Sequence, residues 1–376
     1  MLVGGEKMLD IDRIISNVHS RFDEVFYGRG DRLIVCPMGG MMDIALQDAE
    51  HIENIYCLED RNPEFKEKYG YPVKSREEIC REKHDCKVLI LSSLHYSKIK
   101  EEYLKYIEED RILPYMNYDT RIHFNYSADR YKKWLKTHRE DILSIYDVLA
   151  DEKSKRSFEF LLNGAEHYSA AELMDMGVYS ATEHPDNFHK FDFFPLSERE
   201  AYLDVGAYDG DTISDFLQAV DGSFESITAV EPDPELFEKL SAGRIGGKVR
   251  CLKIGLGDSV AKARLRIAEN RFFNELTEDS EGDFEIRTLD SLGENFSLIK
   301  ISVCGPDVRR KILKGGMKLL KEKRPKLIVL IERYEDDILN IAQEILTINP
   351  DYKIFLRFMV WQQGESFRLN CAYWAV

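Results

Sequence analysis

A-Y-L-D-V-G-A-Y-D-G-D-T, residues Ala201 to Thr212, decides the fold. Apolar and aromatic positions lead into Asp204, as at the C-terminal end of a buried parallel strand. Gly206 and Gly210 punctuate a tight loop, and Asp211 and Thr212 open a helix with Ile213, Phe216, Leu217 and Val220 on its apolar face. Strand, glycine loop and helix form the first unit of a Rossmann-like nucleotide site. Glycine lets the backbone approach a ligand, and the helix N-terminus offers free N–H groups.

Charge narrows the ligand. A dinucleotide site carries G-x-G-x-x-G and receives a pyrophosphate. Here the spacing is G-x-x-x-G, and Asp209 and Asp211 crowd the place of a diphosphate. Carboxylates there repel an anion and suit S-adenosylmethionine, which carries a sulfonium and an ammonium. Capping of the helix by the same residues is compatible with that reading. A second motif, I-T-A-V-E-P-D-P from Ile227 to Pro234, reads as a strand ending in Glu231, twenty-one residues after Gly210. An acid at this spacing is placed to accept hydrogen bonds from a ribose diol. The expected cofactor-binding set is Asp204, Gly206, Ala207, Tyr208, Asp209, Gly210, Glu231 and Pro232, with Asp258 placed to meet the adenine.

From about Asn125 to Val376 the chain resembles the FkbM-type S-adenosylmethionine-dependent methyltransferases. The resemblance rests on D-V-G-A-Y-D-G-D-T, A-V-E-P-D-P-E-L-F, G-L-G-D at Gly255 to Asp258, R-T-L-D-S-L at Arg287 to Leu292 and L-I-K-I at Leu298 to Ile301, in that order. K-G at Lys314 and R-P-K-L at Arg324 to Leu327 follow, and D-V-L-A-D-E-K-S-K, Asp147 to Lys155, is similar to the lead-in of one branch. It implies a seven-stranded class I methyltransferase domain, S-adenosylmethionine as cofactor and O-methylation of a saccharide or a secondary metabolite.

At 376 residues two domains are expected. Residues 1–120 read as an N-terminal Rossmann-like domain with parallel strands, preceded by an amphipathic helix carrying Ile11, Ile14, Ile15 and Val18. Strands are expected at Leu33–Cys36, Ile55–Leu58 and Lys87–Leu91, with helices at Met41–Glu50 and Tyr96–Ile107. The segment E-D-R-N-P-E-F with G-Y-P-V-K-S-R-E-E-I resembles a small domain attached to sugar-modifying transferases, which favours a saccharide acceptor. Its loop keeps Gly39 and Gly40 but lacks a later glycine, so no NAD binding is expected. Residues 121–199 read as a helical connection, closed by an aromatic stretch with Phe188, Phe191, Phe193 and Phe194, either a hydrophobic staple or a ligand lid. Residues 200–376 form the methyltransferase domain.

A formal net charge of −16 argues against a nucleic-acid partner, and no apolar run is long enough to span a bilayer. Seven irregularly spaced cysteines read as free thiols in a cytoplasmic protein. A homo-oligomer is compatible with the sequence.

Catalysis is harder to read. Methyl transfer is an in-line displacement, served by holding the acceptor oxygen against the sulfonium methyl and by a base for its proton. The family pattern has D-V-E-G after the fourth strand, where this chain has Ser302 to Gly305, S-V-C-G. In the nearest branch Y-H follows the fifth strand and R-H lies near the sixth; here stand Glu332-Arg333 and Arg357-Phe358. Ser302 and Cys304 supply no hard anionic oxygen, so no metal is expected. Arg333 is permanently protonated and cannot be the base. The candidate catalytic residues are Glu332, as base or as ion-pair partner of an arginine, and Lys300, as an orienting cation or a strand-end residue. The basic helix after Gly305, with Arg309, Arg310, Lys311, Lys314 and Lys318, is either a guide for an anionic acceptor or a solvated face. Loss of these acids and histidines leaves a non-catalytic cofactor-binding module as the alternative.

Overall fold

A computed structural model describes residues 9–18, 30–38, 42, 46, 52–61, 63, 65–82, 84–91, 96–113, 128–163, 178–180, 189, 191–242, 249–267, 275–305, 307–331, 337–363 and 366–376. The expected helix at Met41–Glu50, Gly39 and Gly40, Phe188, and Glu332 and Arg333 lie outside these residues in whole or in part.

A short helix, α1 (Ile11–Asn17), opens the described chain, capped by Asp10. The first sheet contains β1 (Leu33–Cys36), β2 (Ile55–Glu59), β3 (Glu67–Lys68), β4 (Tyr71–Lys74), β5 (Lys87–Ile90) and β6 (Ile112–Leu113), in the order β3-β4-β2-β1-β5-β6. All its pairs are parallel except β3 with β4. Alternate residues of β1 feed opposite cores, Leu33 and Val35 on one face, Ile34 and Cys36 on the other, as a strand buried on both sides requires. Two helices join it: α2 (Arg76–Arg81), started by a Ser75–Glu78 capping box, and α3 (Tyr96–Tyr103).

Three helices follow, α4 (Ala128–Thr137), α5 (Arg139–Val148) and α6 (Glu152–Asn163), and then the short β7 (Val178–Ser180). The large unit holds β8 (Ala201–Val205), α7 (Asp211–Ala219), β9 (Ser226–Val230), α8 (Pro234–Ala242) and β10 (Val249–Leu252). Then come β11 (Gly255–Gly257), β12 (Ala261–Arg266), β13 (Glu275–Glu278), β14 (Phe284–Thr288) and β15 (Leu298–Ile301). The chain ends with α9 (Val308–Gly315), α10 (Met317–Lys323), β16 (Lys326–Ile331), α11 (Asp337–Ile348), β17 (Ile354–Gln363) and β18 (Ser366–Ala375).

The large sheet runs β10-β9-β8-β15-β16-β18-β17-β7. Its first five strands are parallel, and β18 is antiparallel to both neighbours. This is the seven-stranded arrangement of a class I methyltransferase, extended by β7, which pairs with β17 from the connecting segment. β12 and β14, antiparallel partners, belong to a separate four-stranded sheet, β11-β14-β12-β13.

Alternation in the central strands sorts the two cores. Leu203, Val205, Ile299, Ile301, Leu327 and Val329 pack with α9, α11 and the connecting helices. Tyr202, Leu298, Ile328 and Leu330 pack instead with Ile213 and Phe216 of α7. The leading helix joins the first of these cores: Ile11 and Ile14 lie with Tyr131, Leu135 and Phe158 rather than on the small sheet.

Candidate functional site

The chain goes from β8 outward to β9 and β10, then returns to lay β15 on the other side of β8. The ends of β8 and β15 are therefore a topological switch point, where open parallel sheets bind ligands. Gly206 sits there with φ +78, and a Cβ on it would come within 2.0 Å of the Ser302 carbonyl oxygen. Only glycine lets the loop cross the end of β15. The N–H groups of Gly206 and Ala207 donate to the Val230 carbonyl at 3.0 and 3.1 Å, fastening the loop to the end of β9. Tyr208 has φ 52, a costly value for a non-glycine residue, and Gly210 has φ 94 at the start of α7.

Asp204 lies under this loop, fully buried. Thr212 Oγ1 donates to its Oδ2 at 2.6 Å, and Lys300 Nζ donates to its Oδ1 at 2.9 Å and to Thr212 Oγ1 at 3.1 Å. The register explains the meeting, since Lys300 is the direct partner of Asp204 across β15 and β8. Lys300 is only 2% exposed, so its charge is spent on the start of α7. Thr212, the second residue of α7, opens the helix as expected but is not in the expected cofactor-binding set. His189 closes the cluster from the far side, edge-on to Tyr202 and Phe216 at 5.3 and 5.4 Å. Burial, aided by the Lys300 charge, pushes its imidazole down to about 3, so it is neutral at physiological pH.

Glu231 ends the next strand. Its Oε2 accepts from Tyr208 N at 3.0 Å and its Oε1 from Asp233 N at 2.9 Å. Burial pushes its carboxyl up to about 7, against the lowering effect of these two donors. An ionised carboxylate offers about four lone-pair positions, and the backbone takes two. The rest suits a vicinal diol. Asp233, also missed in sequence, caps α8 by accepting from Glu235 N and Leu236 N at 2.8 and 3.3 Å, so Glu231 is braced by the helix it precedes. Pro232 is half-buried between them, and Asp209, Asp211 and Asp258 are exposed. The donor set fits S-adenosylmethionine: a diol acceptor at Glu231, close backbone at Gly206, and acidic rather than basic side chains on the loop.

Of Ser302, Cys304, Arg333 and Phe358, the positions where the resembled family carries acids or histidines, all but Arg333 are among the described residues. Ser302 and Cys304 are half-buried just beyond β15. Arg357 is 4% exposed and turned away: it donates to Asp151 Oδ2 at 2.7 Å and to Ser154 Oγ at 2.7 Å, and stacks over Phe193 at 4.6 Å. Phe358 is 1% exposed and packs edge-on against Phe160 at 4.8 Å. Glu332, the candidate base or ion-pair partner, lies outside the described residues. Among the described aromatics of the connection, Phe193 stacks on Phe355 at 4.2 Å and Phe191 meets Trp374 at 5.0 Å, the staple rather than the lid. The basic helix is paired off. Arg309 is buried against Asp337 at 2.9 Å, Lys311 meets Glu278 at 2.9 Å, and Arg310 meets Asp307 at 3.0 Å. Among the described residues, no helix is long and apolar enough to cross a membrane.

With this geometry in hand, similarity to solved structures is informative. The crystal structure of methyltransferase FkbM from Methylobacillus flagellatus KT superposes with a TM-score of 0.60 at 17% identity, covering 97% of this chain and 98% of that one. The two chains share one fold from end to end. A precorrin-6y C5,15-methyltransferase from Geobacter metallireducens GS-15 matches 48% of this chain and 81% of its own, with TM-score 0.32 and 12% identity. Aeropyrum pernix fibrillarin, solved with S-adenosyl-L-methionine, matches 48% of this chain and 69% of its own, with TM-score 0.31 and 15% identity. These two partial matches add nothing to the fold assignment. No protein-family model matches the sequence, and no curated protein does.

Proposed function

We propose that the protein is an S-adenosylmethionine-dependent O-methyltransferase whose acceptor is a hydroxyl of a saccharide or a related secondary metabolite. The observation that carries this reading is Glu231, a buried carboxylate held by Tyr208 N and Asp233 N beside a loop that only glycine can follow. When bound, the cofactor supplies a methyl group already activated on a sulfonium. Glu231 would accept the ribose hydroxyls, the loop from Asp204 to Gly210 would hold the methionine part, and Asp258 would meet the adenine.

Lys300 then acts as a positioning residue, holding Asp204 and Thr212 so that the loop keeps its shape. Glu332 follows β16 directly in the chain and is the proposed base for the acceptor proton. The fold supports the class of chemistry, and the attached first domain, similar to one found on sugar-modifying transferases, supports a saccharide. The units proposed are 1–120, 121–199 and 200–376.

A second reading has its own support. Phe358, at a position where the resembled family carries a histidine, is buried in the core and offers no proton-transfer group. A cofactor-binding module without turnover is therefore the competitor. Incubation with labelled S-adenosylmethionine and a panel of hexoses, deoxyhexoses and hexuronic acids separates the two. Label transferred to a saccharide is the expected result; cofactor binding without transfer to any acceptor favours the module.

A further inference from the structure

One row of residues crosses the large sheet in register: Val230, Val205, Ile301, Val329, Tyr373 and Leu356. Past this row the parallel strands stop, β9 at Val230, β8 at Val205, β15 at Ile301 and β16 at Ile331. β17 and β18 continue. They remain paired from Met359 with Asn370 to Gln363 with Ser366, beyond the level at which Ile331 meets Cys371. β7 pairs alongside, Val178 to Ser180 against Met359 to Trp361. Five further pairs, at about 3.3 Å per residue, carry β17 and β18 about 16 Å beyond the end of β16, with β7 alongside the first three, and raise a blade above the edge that carries Gly206 and Glu231.

The blade faces the right gap. With the nucleoside held at Glu231 beside β9, the methyl-bearing end of the cofactor would lie on the side of β15 and β16. From β8 to β18 there are three strand spacings, about 14 Å in all. An acceptor must fit between the loop and the blade. Composition fits that use. The thirteen positions M-V-W-Q-Q, S-F-R-L-N and V-Y-S carry Arg368 as their single charge, in a chain with 32% charged residues. Aromatic, amide and guanidinium types suit the carbon faces and hydroxyl pairs of a sugar ring.

We infer that this blade, formed by β7 and the outer halves of β17 and β18, is the wall on which the saccharide acceptor docks and through which it is selected. The inference rests on the proposed methyltransferase reading. It is tested by replacing Val360–Leu369 with Asn-Gly, which closes the hairpin on the Met359–Asn370 pair and leaves the buried halves of both strands in place. The expected result is S-adenosylhomocysteine affinity within about twofold of the parent and a KM for the saccharide at least tenfold higher. An unchanged KM, in a parent that methylates saccharides, overturns the blade alone; an unchanged KM with a dimer converted to monomer assigns it to a second copy instead. A parent that neither methylates nor binds any hexose, deoxyhexose or hexuronic acid overturns both the saccharide reading and the wall. Should the shortened chain not fold, hydrogen exchange in the parent decides. Amides of 359–363 and 366–370 should slow when the methylated saccharide is added with S-adenosylhomocysteine, and no slowing overturns the inference.

Discussion

Glu231 has to satisfy two demands that pull its proton in opposite directions. Burial favours the neutral acid and sets its titration near 7, whereas a ribose diol donating to it favours the carboxylate. Cofactor binding therefore expels a proton wherever the free protein still holds one. Affinity for S-adenosylhomocysteine is expected to be flat above about pH 7 and to fall about tenfold per pH unit below it, which calorimetry from pH 5.5 to 8.5 measures. Glu231→Ala should lose roughly 1.5–3 kcal/mol of binding at pH 8 and flatten the profile. Unchanged affinity in that variant places the nucleoside elsewhere. Gly206 makes a second, separate demand. Gly206→Ala would force a Cβ to within 2.0 Å of a backbone oxygen at φ +78, so at least about 1–3 kcal/mol of stability should go, read as a lower denaturation midpoint. Both residues were legible in sequence, because a glycine loop followed at fixed spacing by an acid is a local signature. Thr212 and Asp233 were not, because their roles depend on which donor or acceptor the fold brings opposite them.

At the level of elements, β8, β15 and α7 are joined by one buried polar cluster. Lys300, Asp204 and Thr212 connect two strands and a helix start, and Lys300 has 2% of its surface exposed. Breaking a buried pair by removing one partner costs about 3–5 kcal/mol, since the other charge is left uncompensated. Lys300→Met should lose stability on that scale, and Asp204→Asn with Lys300→Met should recover much of it, a coupling that a double-mutant cycle reads directly. A lysine acting only in catalysis would instead lower turnover and leave the unfolding midpoint in place. Arg357 shows why such links escape a sequence. Its partner Asp151 is 206 positions away, and no local pattern connects them. Against the cost of its own burial, Asp151 is held below the usual carboxylate range by hydrogen bonds from Arg357 and Ser154, and this tie fastens α6 to β17. β13 and β7 were illegible for a related reason: short, polar strands such as Glu275–Glu278 are defined by their partners rather than by their own periodicity.

Across the whole molecule, the chain shares the fold of methyltransferase FkbM over 97% of its length at 17% identity. The order of strands and helices was readable because buried parallel strands announce themselves as apolar runs. Turnover was not, because it depends on which groups converge above the sheet. Ser302 and Cys304 stand where acids are patterned, Arg357 and Phe358 are held in the structure, and Glu332 is the carboxylate that follows β16 in the chain. Glu332→Gln therefore bears on the whole proposal. The amide keeps the size and most of the hydrogen bonding, so cofactor affinity should match the parent while turnover falls by about 10²–10⁴, the usual contribution of a positioned base. Arg333→His should be tolerated and raise the rate near neutral pH, since an imidazole can accept a proton there and a guanidinium cannot. Equal rates in the parent and Glu332→Gln would remove the base and leave catalysis to proximity alone. A parent that binds cofactor but transfers nothing, restored to transfer by Arg333→His with Ser302→Asp and Cys304→Glu, would show that this chain kept the binding half of the site and gave up the chemistry.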